Sequence, residues 1–278
     1  MHRFAHLAAA ALGIAAAAAA HAASGAASPP AVATEAASAG TRSCQATSPS
    51  HRVALVELFT SEGCSSCPPA DRWLSSLRAA GFGFDRVVPL SLHVGYWDYI
   101  GWQDPYAKPA FTDRQRRYAR ARGSTTVYTP QVVLDGRDYR AWSSSSGFAR
   151  DVAAINGQRA PVGLRIEATQ TGGSLDVEVA TLSASADSAP ESGAMLTIAV
   201  FEDGLNSRVT RGENAGETLG HDHVVREWLD PIALPARGTA NAQRIDLPVS
   251  FDASNAGVAA FVQRTDGSVL QAVACLFR

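Results

Sequence analysis

Two cysteines lie three positions apart, in the segment Cys64-Ser65-Ser66-Cys67. A dithiol at this spacing can close into an internal disulfide and exchange it with a partner thiol, provided that one sulfur is accessible and its thiolate is stabilised. Two adjacent thiolates are also soft ligands that suit Cu(I) when a third ligand is nearby. The pattern therefore points either to thiol–disulfide exchange or to metal handling.

The residues around the motif predict a strand before it and a helix after it. The apolar run Val53–Phe59 is typical of a buried strand, and the apolar residues of Asp71–Ala80 recur at helical spacing. Pro68 and Pro69 fit only in the first turn of a helix, so we expect the helix to begin close to the second cysteine. The amides at that helix start are then placed to stabilise a thiolate on Cys64.

The rest of the chain divides by its sequence pattern into two parts. Predicted strands alternate with predicted helices over residues 51–158, which indicates an α/β domain. Within it, Asp135-Gly136 follows the short strand Val132–Leu134 and predicts a hairpin that turns back toward Tyr139–Trp142. Polar and apolar residues then alternate with period two between Gly and Ser turns, which predicts an all-β, sandwich-like domain over residues 159–278.

The N-terminus has the pattern of a secretory signal peptide over residues 1–22. An Ala-rich apolar run, Leu7–Ala20, ends in the small-x-small cleavage pattern Ala20-His21-Ala22. The run is shorter than the ~20 residues that a bilayer span needs, and an uncleaved anchor is the alternative. Residues 23–50 are rich in Ala, Ser, Thr and Pro, which predicts a disordered leader. We expect a secreted or periplasmic protein with no membrane span after signal cleavage.

Composition narrows the class of protein. The 278 residues are 46% hydrophobic and 18% charged, which is enough apolar content to build a folded core and excludes a wholly disordered chain. The 24 basic and 26 acidic residues give a net charge of −2, and Lys and Arg form no cluster. The electrostatic pattern of a nucleic-acid-binding protein is therefore missing, and we expect no nucleic-acid partner.

Cys44 and Cys275 lie at opposite margins of the predicted folded region. In an oxidising compartment this pair suggests a structural disulfide that closes a long loop, and two free thiols are the alternative. The segment His221-Asp222-His223 has residue types that bind metals, but side chains at i and i+2 need further ligands that their neighbours do not supply. We therefore interpret this tripeptide as a solvated turn.

Two segments resemble parts of the thioredoxin and glutaredoxin folds. Val56–Cys67 resembles the strand–CxxC–helix unit of these folds, and Val127-Tyr128-Thr129-Pro130, followed by the strand Gln131–Leu134, resembles the cis-proline segment that faces the cysteines. More specifically, the chain is similar to a family of secreted bacterial thioredoxin-like proteins, domain-of-unknown-function family 1223. The segments that carry this similarity are Leu58–Ser61, Pro68–Asp71, His93–Asp98, Gly101–Pro105 and Arg211–Gly216.

The resemblance implies an α/β thioredoxin-like domain, which is a mixed sheet with flanking helices, and it implies roles for single residues. Cys64 would be the nucleophile, Cys67 would resolve the mixed disulfide, and Pro130 would shape the groove for the partner. His93 would accept a proton or pair with the thiolate, and a histidine that only orders the strand end is the alternative. Glu57 would be the buried carboxylate behind the cysteines, with an ion pair at the sheet rim as the alternative.

Five aromatic residues crowd the segment that follows His93. Such density either lines a substrate groove beside the dithiol or forms a small core under an inserted loop, and the Gly and Pro residues of the segment favour the packed loop. The aromatic residues are Tyr96, Trp97, Tyr99, Trp102 and Tyr106.

The leading hypothesis is a thiol–disulfide oxidoreductase that acts on protein thiols or disulfides, uses no cofactor and works with a redox partner protein. The second is a Cu(I)-binding or copper-delivery protein with Cys64, Cys67 and His93 as ligands. The third is a binding module in which the dithiol does not cycle. The Ser-Ser dipeptide between the cysteines differs from the Gly-Pro of thioredoxins and from the Pro-His-like pair of strong oxidants, so the resemblance does not give the redox direction.

Overall fold

The first strand lies inside the predicted leader. In a computed structural model, the described residues are 41–183, 193–234 and 239–278, so the predicted signal peptide and residues 23–40 of the leader lie outside them. Arg42–Thr47 forms strand β1, in which Cys44 pairs antiparallel with Ala168, and Cys44 is joined to Cys275 in a disulfide. The leader therefore ends earlier than predicted, because a distant strand and a covalent bond hold these polar residues in the fold.

Three helices and many short strands follow. The helices are α1 (Pro68–Ser76), α2 (Pro109–Ala121) and α3 (Ser145–Asn156), with 3₁₀ helices at Gly95–Ile100 and Ala253–Asn255. The further strands are β2 (Ala54–Thr60), β3 (Val87–His93), β4 (Gln131–Leu134), β5 (Arg137–Asp138), β6 (Val162–Thr171), β7 (Ser174–Ser183), β8 (Met195–Glu202), β9 (Leu205–Arg208), β10 (Thr218–His221), β11 (Val224–Trp228), β12 (Ile232–Ala233), β13 (Ala240–Asp246), β14 (Ala256–Gln263) and β15 (Val269–Leu276). None of the helices in the described ranges is long and apolar enough to cross a membrane.

Local sequence sets where the helices begin. Proline occupies the first turn of α1 and of α2, where a missing amide hydrogen costs nothing because no intrahelical partner exists there. The side chain of Ser144 caps α3 by accepting a hydrogen bond from the amide of Gly147. α1 ends at Ser76, earlier than the predicted Ala80, and the chain then continues in turns to Gly81, whose φ of 88° favours glycine.

Nine strands in the described part of the chain form one mixed sheet, in the order β15-β14-β8-β11-β3-β2-β4-β5, with β12 beside β8. β2 and β3 are parallel, with Thr60 opposite His93, and β4 runs antiparallel to β2. β11 pairs with β3 in parallel through Val224 and Ser91, and the amide of Ser91 donates to the carbonyl of His223 at 2.8 Å. This pairing continues the sheet from the α/β half of the chain into its β-rich half.

The structure differs from the predicted division between residues 51–158 and 159–278. Strands from both segments share the large sheet, and the described residues fall in one compact unit. The change in sequence pattern is real, because the last α-helix of the described residues ends at Asn156. A change of pattern marks where helices end, however, and carries no information about which strands pair.

A second sheet, β1-β6-β7-β13, is antiparallel and packs against the half of the large sheet formed by β8, β14 and β15. Alternate side chains of β6 point inward, as period-two patterning requires. The core between the sheets includes Leu164, Ile166, Val177, Ile198 and Val258. This part is sandwich-like, but one of its two layers is the sheet that also carries the dithiol motif.

Helices cover the other half of the large sheet. α1 and α3 pack on the face of β2 that carries Val56 and Leu58. α2 packs on the opposite face, where Phe111 lies in one core with Phe59 and Phe201. The motif therefore lies where β2 ends and α1 begins, at one end of a sheet that is covered on both faces.

Gly257 in β14 is predicted to tolerate no side chain. A Cβ at this position would lie 2.2 Å from the carbonyl oxygen of Cys275 and 2.6 Å from the ring of Phe201. We expect Gly257→Ala to lower the free energy of unfolding by about 1–3 kcal/mol, because a well-packed core must shift to accept the methyl group. Urea unfolding of this variant and of the control Gly173→Ala, where an added Cβ meets no atom within 4 Å, measures the difference. Equal midpoints for the two variants would contradict this packing.

Candidate active site at the dithiol motif

The dithiol motif forms the turn between β2 and α1. The amide of Cys64 donates to the carbonyl of Ser61 at 3.1 Å, and the amide of Cys67 donates to the carbonyl of Cys64 at 3.1 Å. Cys67 has helical backbone angles, and its carbonyl accepts from the amides of Ala70 and Asp71. Cys64 and Cys67 are joined in a disulfide, with their Cα atoms 5.5 Å apart. The second cysteine thus belongs to the helix start, and the first lies just outside it.

The two serines of the motif are its exposed part. Cys64 is 1% exposed and Cys67 is fully buried, whereas Ser65 and Ser66 are exposed. The hydroxyl of Ser66 lies 3.3 Å from the sulfur of Cys64. Of the two sulfurs, that of Cys64 is therefore the one in contact with an exposed side chain, although both cysteines are themselves buried.

Pro130 lies at the same end of the sheet as the motif. The Thr129–Pro130 peptide bond is cis, and the next residue, Gln131, pairs with the end of β2. Trp97 links the two segments: its indole nitrogen donates to the hydroxyl of Thr129 at 2.7 Å, and its Cβ lies 3.1 Å from the point that a Cβ on Gly63 would occupy. The cis-proline segment and the motif are therefore joined through one tryptophan.

The aromatic segment after β3 is mostly a packed loop. Tyr96 and Trp97 pack against the core beneath α2, and Tyr106 packs edge-on against His93 with ring centroids 5.3 Å apart. Tyr99, in contrast, is 82% exposed. The segment thus forms a small core, as the packed-loop alternative has it, and presents one aromatic ring to solvent.

His93 is fully buried and paired with a carboxylate. Its Nδ1 lies 2.8 Å from Oδ2 of Asp104, an oxygen that also accepts from the amide of Glu62. Burial alone would lower the pKa of His93, but the charge and hydrogen bond of Asp104, with further contributions from Asp71 and Glu62, raise it above its usual value. Burial would likewise raise the pKa of Asp104, but His93 and two backbone amides hold it below its usual value. At its other nitrogen, Nε2, His93 has no hydrogen-bond partner among the described residues.

A second histidine–carboxylate pair lies beside the first. Glu62 is buried and accepts a hydrogen bond from the indole nitrogen of Trp102 at 2.7 Å. Its other oxygen lies 3.1 Å from Nε2 of His221. The rings of His221 and His93 meet edge to face, with centroids 4.9 Å apart. Two buried imidazoles and two buried carboxylates are thus packed together next to the motif.

The interpretation of residues 221–223 as a solvated turn is wrong for both histidines. His221 and His223 are buried, and Nδ1 of His223 lies 3.0 Å from Oδ1 of Asp203. His221 ends β10, which packs on α1, so an element from the first half of the chain covers it. Within residues 41–183, 193–234 and 239–278, no group of three or more His, Cys, Asp or Glu side chains is arranged to hold a metal ion.

Asp71 completes the buried polar groups around the motif. It follows Cys67 by four residues at the start of α1, a spacing that places two side chains on the same face of a helix. Asp71 is 6% exposed, and its Oδ1 has no hydrogen-bond partner in the part of the chain that the structure describes. Burial raises the pKa of Asp71, and the nearby charges of His221 and His93 offset only part of this effect. We call the following residues the buried cluster: Glu62, Asp71, His93, Asp104 and His221.

Glu57 does not lie behind the cysteines. Alternate residues of β2 face opposite sides of the sheet, and Glu57 faces α2, where Arg114 pairs with both carboxylate oxygens and Tyr118 donates to one of them. Arg114 also stacks on the ring of Trp228. Glu57 therefore forms an ion pair, and this pair is buried in the interior instead of lying at the sheet rim. This position does not suit proton transfer to the motif.

A loop from the β-rich half contacts the motif from outside. This loop, Arg211–Gly216, lies between β9 and β10 and is here called the clamp loop. Glu213 Oε2 accepts from the amide of Ser65 at 3.0 Å and from its hydroxyl at 2.7 Å, and these bonds lower the pKa of Glu213. Asn214 donates through its side chain to two carbonyls of the motif turn, at 2.8 Å and 3.1 Å. Both halves of the chain therefore build the site.

Several of these residues carry no usable signal in the sequence. Asp71 is the exception, because a residue four positions after Cys67 on a predicted helix lies on the same helix face as Cys67. The clamp loop belongs to the segments that carry the family resemblance, yet nothing local places it against the motif. The contacts of Glu62 and His221 depend on strand pairing, which residue spacing does not reveal.

Asp104→Asn is predicted to leave a buried charge without its partner. We expect the free energy of unfolding near pH 6 to fall by about 3–5 kcal/mol, because His93 loses its anion. In the parent protein, the raised pKa of His93 stabilises the fold fully below its unfolded value of about 6.5, and this contribution is lost as the pH rises through the folded-state value. The variant should lack this part of the pH dependence, which urea unfolding across pH 5–9 measures.

Asp113→Asn is the control for this experiment. The side chain of Asp113 is 60% exposed on α2 and lies 3.6 Å from Arg116, so its loss should change stability by less than about 1 kcal/mol. If Asp104→Asn matched this control in stability and in pH profile, the pairing of His93 with Asp104 would not be what stabilises the site.

Known proteins resemble this chain in fold and in sequence. The crystal structure of protein AGR_C_4864 from Agrobacterium tumefaciens is 28% identical, with a TM-score of 0.58, and the match covers 82% of this chain and 96% of that one. HBP35 of Porphyromonas gingivalis is 15% identical, with a TM-score of 0.59 over 82% of this chain and 76% of that one, and shares the fold alone. No curated protein matches the chain. Residues 55–263 match the family described as protein of unknown function, DUF1223, and the chain belongs to that family.

Proposed function

We propose that the chain is a thiol–disulfide oxidoreductase of protein thiols or disulfides. The observation that supports this most directly is the disulfide between Cys64 and Cys67 at the start of α1, with Cys64 toward the exposed serines. Thiol–disulfide exchange needs one sulfur that a partner can reach and a second that waits behind it. Cys64 lies beside the exposed serines and Cys67 lies at the helix start, so the two cysteines take the outer and inner positions once the turn admits a partner.

The order of elements around the motif supports a thioredoxin-like arrangement of the α/β half. β2 and β3 are parallel and α1 connects them, β4 runs antiparallel to β2, and α3 follows the β4–β5 hairpin. In this arrangement the cis-proline segment precedes β4 and lies beside the turn that carries the cysteines. Part of the β-rich half extends the same sheet, and the loop between β9 and β10 is the clamp loop.

In the reductive direction, the thiolate of Cys64 attacks one sulfur of a substrate disulfide. A bond forms between Cys64 and that sulfur, the substrate bond breaks, and the released thiolate takes a proton from water. The thiol of Cys67 then gives its proton to a base, and its sulfur attacks that of Cys64. The mixed disulfide breaks, and the second substrate thiolate leaves and takes a proton from solvent. The substrate disulfide has gained two electrons and two protons, and the protein dithiol has become the Cys64–Cys67 disulfide.

The buried cluster supplies the proton acceptor for the second step. Asp71 shares a helix face with Cys67, and burial raises its pKa toward the working range of a general base. His93 pairs with Asp104 and His221 pairs with Glu62, so Asp71 is the carboxyl group of the cluster that has no imidazole hydrogen-bonded to it. Asp71 therefore takes the role that the sequence alone had given to Glu57.

The surroundings of the motif suit a polypeptide partner. Ser65 and Ser66 are exposed in the turn, and Tyr99 is exposed in the segment that also holds Trp97. Trp97 connects this segment to Gly63 and to the cis-proline segment. An extended peptide that carries a disulfide could lie across these groups. We place the activity in a secreted or periplasmic setting, where a dithiol partner protein returns the disulfide to the reduced state.

Cys67→Ser is predicted to trap the mixed disulfide with a protein substrate. Incubated in reduced form with insulin, this variant should accumulate a covalent adduct at Cys64, because no thiol remains to resolve it. Cys64→Ser is the matched control, and we expect its adduct to form at least tenfold more slowly, because Cys67 lies at the start of α1 whereas the sulfur of Cys64 lies beside the exposed Ser66. Mass spectrometry of the adducts measures both yields.

Two outcomes of this trapping experiment, and one outcome of a separate Cu(I) titration, contradict the proposal. Equal adduct yields in the two variants would show that Cys64 is not the preferred nucleophile. No adduct in either variant would favour the third hypothesis, a binding module in which the Cys64–Cys67 dithiol does not cycle. Stoichiometric Cu(I) retained by the reduced parent protein, and lost on His93→Ala, would replace redox exchange with copper handling.

Asp71→Asn is predicted to slow the resolving step. An amide cannot accept the proton of Cys67, so we expect the mixed disulfide with glutathione to resolve about 10²-fold more slowly at pH 7. The defect should shrink above pH 9, where the thiol ionises without help. Stopped-flow mixing followed by alkylation measures the rate, with Asp113→Asn as control. A variant as fast as the parent protein at pH 7 would exclude Asp71 as the acceptor.

A further inference from the structure

The clamp loop makes its closest contact with the motif at the residue that follows Cys64. Glu213 accepts two hydrogen bonds from Ser65, one from the amide at 3.0 Å and one from the hydroxyl at 2.7 Å. Both donors converge on the same carboxylate oxygen. The side chain of Glu213 is otherwise exposed, and within the described residues it pairs with no Lys, Arg or His. Its negative charge therefore faces the motif without a compensating cation.

This contact removes donors that a thiolate would otherwise use. In a strand–turn–helix dithiol, a reduced nucleophile is stabilised by amides and hydroxyls at the start of the helix. The amide of Cys67 is already bonded to the carbonyl of Cys64, and Glu213 occupies the amide of Ser65. The hydroxyl of Ser65 is occupied by the same carboxylate. The hydroxyl of Ser66, 3.3 Å from the sulfur of Cys64, is left as a donor to it.

The charge of Glu213 acts in the same direction. An anion next to the nucleophile disfavours a second anion on its sulfur, whereas a disulfide carries no charge and is not affected. Reduction of the pair creates the thiolate, so an adjacent carboxylate destabilises the reduced form relative to the oxidised form. Dithiol proteins whose reduced form is stabilised are oxidants, and the opposite balance gives reductants.

We propose that Glu213 is a positioning residue that sets the redox direction of the Cys64–Cys67 pair, by binding the donors of Ser65 and placing a negative charge beside Cys64. The protein is then a reductant of protein disulfides and draws its electrons from a dithiol donor. This inference rests on the proposed function and adds its direction, which the Ser-Ser dipeptide does not give.

Glu213→Gln tests the charge alone. The glutamine keeps an oxygen that accepts from Ser65, so the loop stays in place while the negative charge is removed. We expect the pKa of the Cys64 thiol, measured from the pH profile of its alkylation rate, to fall by about one unit. At pH 9, the equilibrium with glutathione should shift about tenfold toward the dithiol, which is about 30 mV for this two-electron couple.

Further variants separate the charge from the structure of the loop. Glu213→Ala removes the acceptor as well as the charge, so its shift should be at least as large as that of Glu213→Gln. Glu217→Gln removes an exposed carboxylate four residues along the chain and should behave like the parent protein. High salt screens exposed charges, so 1 M NaCl should reduce the difference between the parent protein and Glu213→Gln. A purely structural role would not respond to salt in this way.

The ionisable groups on the buried side of the Cys64–Cys67 pair are the same in the parent protein and in all these variants. The buried cluster faces the motif from inside with its carboxyl groups and two imidazoles, and none of the variants alters it. If the pair opens at the same potential in the parent protein and in Glu213→Gln, the assignment of Glu213 is overturned while the proposed function stands. If the pair stays closed in every protein across the whole range of glutathione and dithiothreitol buffers, the proposed function fails and the assignment fails with it.

Discussion

The pairing of β11 with β3 is the constraint on which the rest of the site depends. β3 leaves one edge of the α/β half open, and the bonds through Val224 and Ser91 close that edge with a strand from the β-rich half. Because β9 and β10 immediately precede β11, this pairing brings the clamp loop and His221 to the end of β2, where the cysteines lie. The β-rich half is therefore part of the site and not a separate appendage.

Enclosure by both halves explains how so many ionisable groups remain buried. Isolated buried charges are costly, and the buried cluster avoids this cost by pairing each imidazole with a carboxylate. His93 pairs with Asp104 and His221 pairs with Glu62, which leaves Asp71 as the carboxyl group with an unpaired oxygen among the described residues. An acid without a partner exchanges its proton more easily than one held in an ion pair, and this one shares a helix face with Cys67.

Local patterns in the sequence predicted the positions of strands, helices and turns well. They predicted poorly which strands pair and which side chains meet. The strand before the motif, the start of α1 at the prolines and the turn at Asp135-Gly136 follow from residue type, because each depends on a few adjacent residues. The burial of His221 and His223 and the partners of Glu57 depend on strands that pair across the chain. The expectations of a solvated turn and of an acid behind the cysteines therefore failed. The large sheet that both halves of the chain share escaped prediction for the same reason.

The most direct test of the account is a redox titration of the parent protein in glutathione and dithiothreitol buffers, with each cysteine scored by alkylation and peptide mass. We predict that Cys64 and Cys67 open together as a two-electron couple near the thioredoxin value of about −270 mV, while Cys44 and Cys275 remain joined. A pair that stays closed over the whole range, or that opens only together with the Cys44–Cys275 disulfide, would contradict the claim that this motif is an exchanging dithiol.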